Sequence, residues 1–248
     1  MRCMLLLTLL LLLPVLAGCT TTSATGKPAA YHYQMGVSFL EEGNYTAALV
    51  ELTEADKLDP DNAELQYNLG RALTGKRRLD LAEQRFLQAL ALRPNYSEAR
   101  NDLGVIYLEM GRWEDAIQQF KAVKDDLFYP HHDFSVINLG LAYLGKGEFA
   151  KALEELESVR NSAPRNPVVK VAIGRVYFAQ GNIDQALEEY RRALEIAPNY
   201  ASAHFHLGLA LMKQSNLAAA RAEFKEVVKI TPDSELGRTS MGYLDLLK

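Results

Sequence analysis

From Ala29 onward, apolar residues recur at the spacing of one helical face, and the recurrence itself repeats. The periodic segments open at Ala29, Ala63, Ser97, Asp133, Pro167 and Ala201, each step being 34 residues except the third, which is 36. The seventh place of each segment holds Met35, Leu69, Leu103, Leu139, Ile173 or Leu207, and the eighth is always glycine: Gly36, Gly70, Gly104, Gly140, Gly174 and Gly208. The twentieth place is always alanine (Ala48, Ala82, Ala116, Ala152, Ala186, Ala220), and the twenty-fourth carries Leu52, Phe86, Phe120, Leu156, Tyr190 or Phe224. Gly43, Gly111, Gly147 and Gly181 separate two apolar runs within a segment, where a helix ending in a left-handed residue favours glycine. Pro60, Pro94, Pro164, Pro198 and Pro232 mark segment ends, since proline lacks the N–H that would continue a helix. Each segment therefore predicts a helix, a tight turn and a second helix.

Glycine at place eight and alanine at place twenty let two antiparallel helices approach closely while bulky neighbours fill the flanking grooves. A large residue at Ala116 is expected to cost roughly 1–3 kcal/mol through overpacking. One such unit cannot bury both of its faces, so stability must come from stacking, and the last unit needs a lid. Residues 235–248 are expected to supply it, with Met241 and Gly242 in the seventh and eighth places of a further first helix. This constellation resembles the tetratricopeptide repeat. The resemblance implies an all-α fold, a right-handed superhelix (α-solenoid) of six repeats at 29–62, 63–96, 97–132, 133–166, 167–200 and 201–234, closed by a capping helix over 235–248.

The third segment is two residues too long and lacks its terminal proline; Pro130 comes two places late. Ala116 and Phe120 keep their register, so the added residues belong to the connection after Val123.

Ahead of the array, Arg2, an apolar core from Met4 to Leu13 and the run Leu16-Ala17-Gly18-Cys19 read as an export signal over 1–18. The core is shorter than the roughly 20 apolar residues of a membrane span. Small residues before a cysteine resemble the bacterial lipobox, which implies that Cys19 becomes a lipidated mature N-terminus. Acyl chains bury methylenes at about 0.8 kcal/mol each, and more than one chain gives lasting attachment. With Cys3 discarded and Cys19 modified, no disulfide framework is available. Residues 19–28 form the lipidated cysteine and a polar tether, and Thr20 after the cysteine implies, by the family rule, the outer membrane.

A lipobox, six tetratricopeptide units and the connection Asp126-Leu127-Phe128-Tyr129-Pro130 together resemble the type IV pilus biogenesis lipoproteins of the pilotin family known as PilF or PilW. That resemblance implies a periplasm-facing adaptor that helps the secretin, the pore through which the pilus emerges, reach or assemble in the outer membrane. A scaffold for cell-envelope or peptidoglycan enzymes fits the same tether and groove.

The formal net charge of −4 gives no overall basic surface, and no local basic patch marks a nucleic-acid partner. Gly70 to Lys76 imitates a phosphate-binding GxxxxGK loop, yet no strand precedes it and Arg77 stands where Ser or Thr is needed. His131, His132 and Asp133 are adjacent and diverge, while His204 and His206 lie on different sides of a helix. Solvated or packed histidines are expected, with no metal. No G-x-S-x-G elbow or free thiol offers a nucleophile, and no carboxylate pair is singled out, so neither catalysis, a small-molecule substrate nor a cofactor beyond the lipid is expected.

Places five, nine and twelve of the first helices form a stripe apart from the packed places seven, eight and eleven. In units one to three the stripe reads Tyr33, Val37 and Leu40, then Tyr67, Arg71 and Thr74, then Asn101, Val105 and Leu108. Units four to six continue it with Ile137, Leu141 and Leu144, then Val171, Arg175 and Phe178, then Phe205, Leu209 and Met212. All but Arg71, Thr74, Asn101 and Arg175 are apolar or tyrosine, a wall suited to an apolar helix or extended segment of a protein partner. Arg71 and Arg175 are expected to orient that segment by pairing with acids. Clamps that hold an acidic C-terminus carry lysine at place five, which is absent here.

Overall fold

The computed structural model describes residues 27–126 and 128–247. The export segment, Cys19 and nearly all of the tether lie outside the described residues, as does Leu127 of the connection. Thirteen helices make up the described residues: α1 Ala29–Glu41, α2 Tyr45–Leu58, α3 Ala63–Gly75, α4 Leu79–Leu92, α5 Ser97–Glu109, α6 Trp113–Lys124, α7 His132–Lys146, α8 Phe149–Ser162, α9 Pro167–Ala179, α10 Ile183–Ile196, α11 Ala201–Lys213, α12 Leu217–Ile230 and α13 Glu235–Leu246. Every helix packs on the next in sequence, giving an all-helical solenoid of paired helices.

Side-chain amides and a hydroxyl start several of these helices. Asn44, Asn62, Asn166, Asn216 and Ser234 each accept a bond from a backbone N–H of the first turn. Place fifteen is left-handed in every unit: φ is 71° at Gly43, 70° at Gly111, 84° at Gly147 and 82° at Gly181. Arg77 and Ser215 hold the same conformation at φ 59° and 65° without glycine's freedom.

The alanines at place twenty are fully buried in all six units. The glycine at place eight, however, faces place twenty-four more closely than it faces the alanine. A Cβ added to Gly104 would lie 2.6 Å from a ring carbon of Phe120, and one on Gly174 would lie 2.5 Å from Tyr190. The missing methyl thus makes room for an aromatic ring or leucine of the second helix, and these large side chains are the sealed centre of each unit.

A polar clasp adds to the packing. Place four of the first helix bonds to place twenty-three of the second: His32 Nδ1 to Glu51 at 2.7 Å, Arg85 to Gln66 at 2.8 Å, Arg100 to Gln119 at 3.4 Å, and His204 Nδ1 to Glu223 at 2.6 Å. In three units the same place-four side chain also bonds the carbonyl of the preceding proline: Gln66 to Pro60, Arg100 to Pro94, and His204 to Pro198. The prolines therefore serve as acceptors as well as stops.

Unit four lacks this clasp, because Val136 occupies place four and no proline ends unit three in register. The connection there runs over 125–131, against 59–62, 93–96, 163–166 and 197–200 elsewhere, since α6 stops early as well as being followed by added residues. Asp126 organises it. Its carboxylate accepts from Ser97 Oγ at 2.6 Å and from the Phe128 N–H at 3.1 Å, while His132 Nε2 bonds the Lys124 carbonyl at 3.0 Å. Tyr129 turns inward and is buried, whereas Phe128 is 94% exposed.

Candidate groove on the inner face

The odd-numbered helices touch one another along the array, α1 on α3, α3 on α5, and so on to α11 on α13. The backbones of successive even-numbered helices stay further apart, bridged only by long side chains such as Arg85 to Asp56 at 2.9 Å and Lys124 to Glu155 at 2.7 Å, so the odd-numbered side is the inner, tightened face of the curve. The stripe at places five, nine and twelve lies on these helices.

Most of it is half-buried, including Tyr33, Val37, Tyr67, Asn101, Val105, Leu108, Leu141, Arg175, Phe178 and Phe205, and Arg71 is exposed. Three members sit deeper than a wall residue should: Leu40, Ile137 and Val171 are buried, Ile137 only 2% exposed. Ile137 was expected to touch a partner and instead belongs to the core. At place five the long rings of Tyr33, Tyr67 and Phe205 stay half-buried, while the shorter Ile137 and Val171 are buried.

In units one to three the inner face is a polar web. Asn68 donates to the Tyr33 hydroxyl at 3.1 Å, the Tyr67 hydroxyl donates to Asp102 at 3.1 Å, and Asn101 donates to the other Asp102 oxygen at 3.2 Å. Ser135 in turn donates to Asn101 at 2.8 Å, which carries the web into unit four. Arg71 donates to Asn68 at 3.2 Å and lies over the Tyr67 ring, 5.6 Å from its centre. Arg71 and Asp102 line one cavity of about 290 Å³, with Leu40, Tyr45, Thr74 and Val105 among its walls. Burial pushes the Asp102 carboxyl up, opposed by the bonds from Asn101 and Tyr67 and by the nearby Arg71 charge. Burial likewise pushes the Tyr67 hydroxyl far up, helped by the Asp102 charge.

Units five and six present a different surface. Phe205 meets Phe224 and Tyr243 edge-on at 5.9 and 6.0 Å, and His206 stacks on Tyr190 at 5.8 Å. Burial and the Arg175 charge hold the His206 imidazole down to about 4, so it is neutral near pH 7. Burial also lowers the Arg175 guanidinium from its usual range.

The residues that sequence reasoning missed sit at place six: Asn68, Asp102 and His206, flanking the stripe rather than in it. A polar residue recurs there as Gln34, Asn68, Asp102, Asn138 and His206, a regularity visible in the sequence. The GxxxxGK look-alike covers the end of α3 and its C-cap Lys76, and Thr74 Oγ donates to the Gly70 carbonyl at 2.9 Å within the helix.

The stacked helix pairs and their inner face define a tetratricopeptide-repeat protein, and the chain belongs to that family. Models described as tetratricopeptide repeat match residues 39–88, 76–127 and 143–192, more than half of the chain, and further repeat models match 174–215 and 201–234. Its sequence is homologous to the type IV pilus assembly protein PilF of Pseudomonas aeruginosa strain PAO1, with 29% identity over 126 residues, 51% of this chain. The match spans 50% of that relative's length, and three further curated relatives are matched over a quarter of their length or less. The solved structure of P. aeruginosa PilF superposes with a TM-score of 0.65 at 21% identity, covering 86% of this chain and 96% of that one. The crystal structure of PilW, described as a widely conserved type IV pilus biogenesis factor, gives 0.72 at 20% identity over 86% and 98%. These two likenesses show a shared fold.

Proposed function

We propose that this protein is a non-enzymatic pilotin: a lipoprotein held in the outer membrane through Cys19, facing the periplasm, that binds the type IV pilus secretin and promotes its localisation or assembly there. The observation that carries this reading is the homology to PilF, joined to a fold likeness to PilF and PilW that extends over 86% of the chain. The half-buried apolar inner face supports a role in holding another protein, since a surface of that kind is kept where a partner covers it. The tether fits the same role, because it lets an anchored solenoid stand off the bilayer and meet an arriving subunit.

The test is the amount and location of secretin multimers in outer membranes from a strain without this chain. Loss of multimers, or their retention in the inner membrane, is expected, and restoration should require Cys19 as well as the repeats. Unchanged multimers in the outer membrane would refute the proposal. Crosslinking from Val105 that captured murein enzymes and no secretin would instead favour an envelope-enzyme scaffold.

A further inference from the structure

The two groove arginines occupy equivalent places but different electrostatic settings. Arg71 and Arg175 both stand at place nine, and the residue 31 positions further on is Asp102 for the first and His206 for the second. Arg71 therefore shares its cavity with a carboxylate, and its charge is answered from within the chain. Arg175 faces the neutral ring of His206 and the hydroxyl-bearing rings of Tyr190 and Tyr200, and among the described residues it makes neither an ion pair nor a hydrogen bond.

The imbalance extends beyond one pair. Neither α9 nor α11 contains an Asp or Glu, while Lys170, Arg175 and Lys213 lie on them. By contrast α5 carries Glu98, Asp102 and Glu109 against the single cation Arg100. Lys170 stands at place four, on the side turned to the second helix, and Lys213 at place thirteen, so on the stripe itself the charge of units five and six is that of Arg175, set between apolar walls. A half-buried guanidinium without a counter-ion loses hydration and gains nothing within the chain, which is what a site awaiting an anion looks like.

We propose that Arg175 is the acid-binding contact of the groove, and that the partner's docking segment sets an Asp or Glu side chain on it with apolar residues on either side. This deepens the groove reading above and rests on it. A side-chain carboxylate fits better than a chain end because the apolar wall continues in both directions from Arg175, through Leu141 and Leu144 on one side and Phe205 and Leu209 on the other. A terminal carboxylate would leave one of those stretches uncovered. Arg71, already matched by Asp102, takes no part in this selection.

A random peptide library selected on the full chain tests the idea. Enriched peptides should carry one Asp or Glu flanked by apolar residues, and replacing that acid by its amide should weaken binding about tenfold, as loss of one charge-assisted contact implies. Selection on Arg175→Gln should keep the apolar residues and lose the acid, whereas Arg71→Gln should leave the acid in place. Because Arg175 makes no ion pair or hydrogen bond among the described residues, Arg175→Gln should melt at or above the temperature of the parent. Apolar peptides without an acid would leave the groove reading standing and overturn this inference. So would an acid preference that survives Arg175→Gln, or one that is satisfied only by a free C-terminus. No enrichment at all would overturn both.

Discussion

His206 makes the stability of the last two units depend on pH in a way that can be isolated. Its ring stacks on Tyr190 at 5.8 Å with an interplanar angle of 22°, and the positive Arg175 stands near it. An imidazolium there would lose hydration and meet a like charge, which is why the folded value lies at about 4 against 6.5 for an ordinary histidine. The folded value is depressed, so the stability it confers is fully present above 6.5 and is lost as the pH falls toward 4. In that window the unfolded chain binds a proton that the folded chain refuses. The loss accrues at about 1.4 kcal/mol per pH unit, so by about pH 5 it amounts to about 2 kcal/mol. His206→Gln removes the linkage while keeping a polar group of similar size. Urea unfolding followed by circular dichroism, for parent and variant at about pH 7.5 and about pH 5, should show the parent losing about 2 kcal/mol more than the variant. Equal losses in the two proteins would refute both the burial of this ring and its neutrality.

Three further outcomes follow from the packing. Gly104→Ala forces a methyl against the Phe120 ring and should destabilise by about 1–3 kcal/mol in the same unfolding assay, whereas Gly242→Ala meets nothing within 4 Å and should be tolerated. Ser215→Gly relieves a left-handed residue at φ 65° and should raise stability by up to about 1 kcal/mol, the relief of strain being partly offset by the freer unfolded chain; a lower midpoint would contradict the strain argument. In the long connection, Tyr129→Ala should cost about 3 kcal/mol because the ring is buried, while Phe128→Ala, next to it and 94% exposed, should change the melting temperature little.

The repeat was legible because its packing residues recur without exception. A glycine, an alanine and a bulky side chain at fixed places leave few folds open, and the helices start at or next to the segment starts read from the pattern. The clasp between places four and twenty-three was not legible, since its partners change identity from His and Glu to Gln and Arg, then Arg and Gln. Hydrogen bonding conserves geometry across such exchanges, while a search for recurring letters does not see them. Asp102 was missed for a related reason: a period based on apolar faces discards the polar residue beside the stripe, though that residue sets the charge of the groove. Ile137 was misplaced because periodicity gives a direction on the helix but not how far a side chain reaches.

The same reasoning explains why a regular array can carry an asymmetric binding surface. Places seven, eight, twenty and twenty-four are held by close packing, so they can vary only among shapes that fit, and every unit must meet that constraint. Places six and nine meet across the junction between one first helix and the next, and nothing in the packing dictates their charge. At the junction of units two and three they hold Arg71 and Asp102, opposite charges that line one cavity and leave little net charge for a ligand, although Arg71 directs its hydrogen bond to Asn68. At the junction of units five and six they hold Arg175 and His206, which share no bond. Stability at that junction comes instead from ring packing, with His206 stacked on Tyr190 at 5.8 Å, and the next junction, onto the capping helix, is sealed by Phe205, Phe224 and Tyr243 with contacts of 4.8 to 6.0 Å. The stacked rings let Arg175 persist beside them without a carboxylate, so the inner-face junction that lacks a charge match is the one best able to offer a charge to a partner.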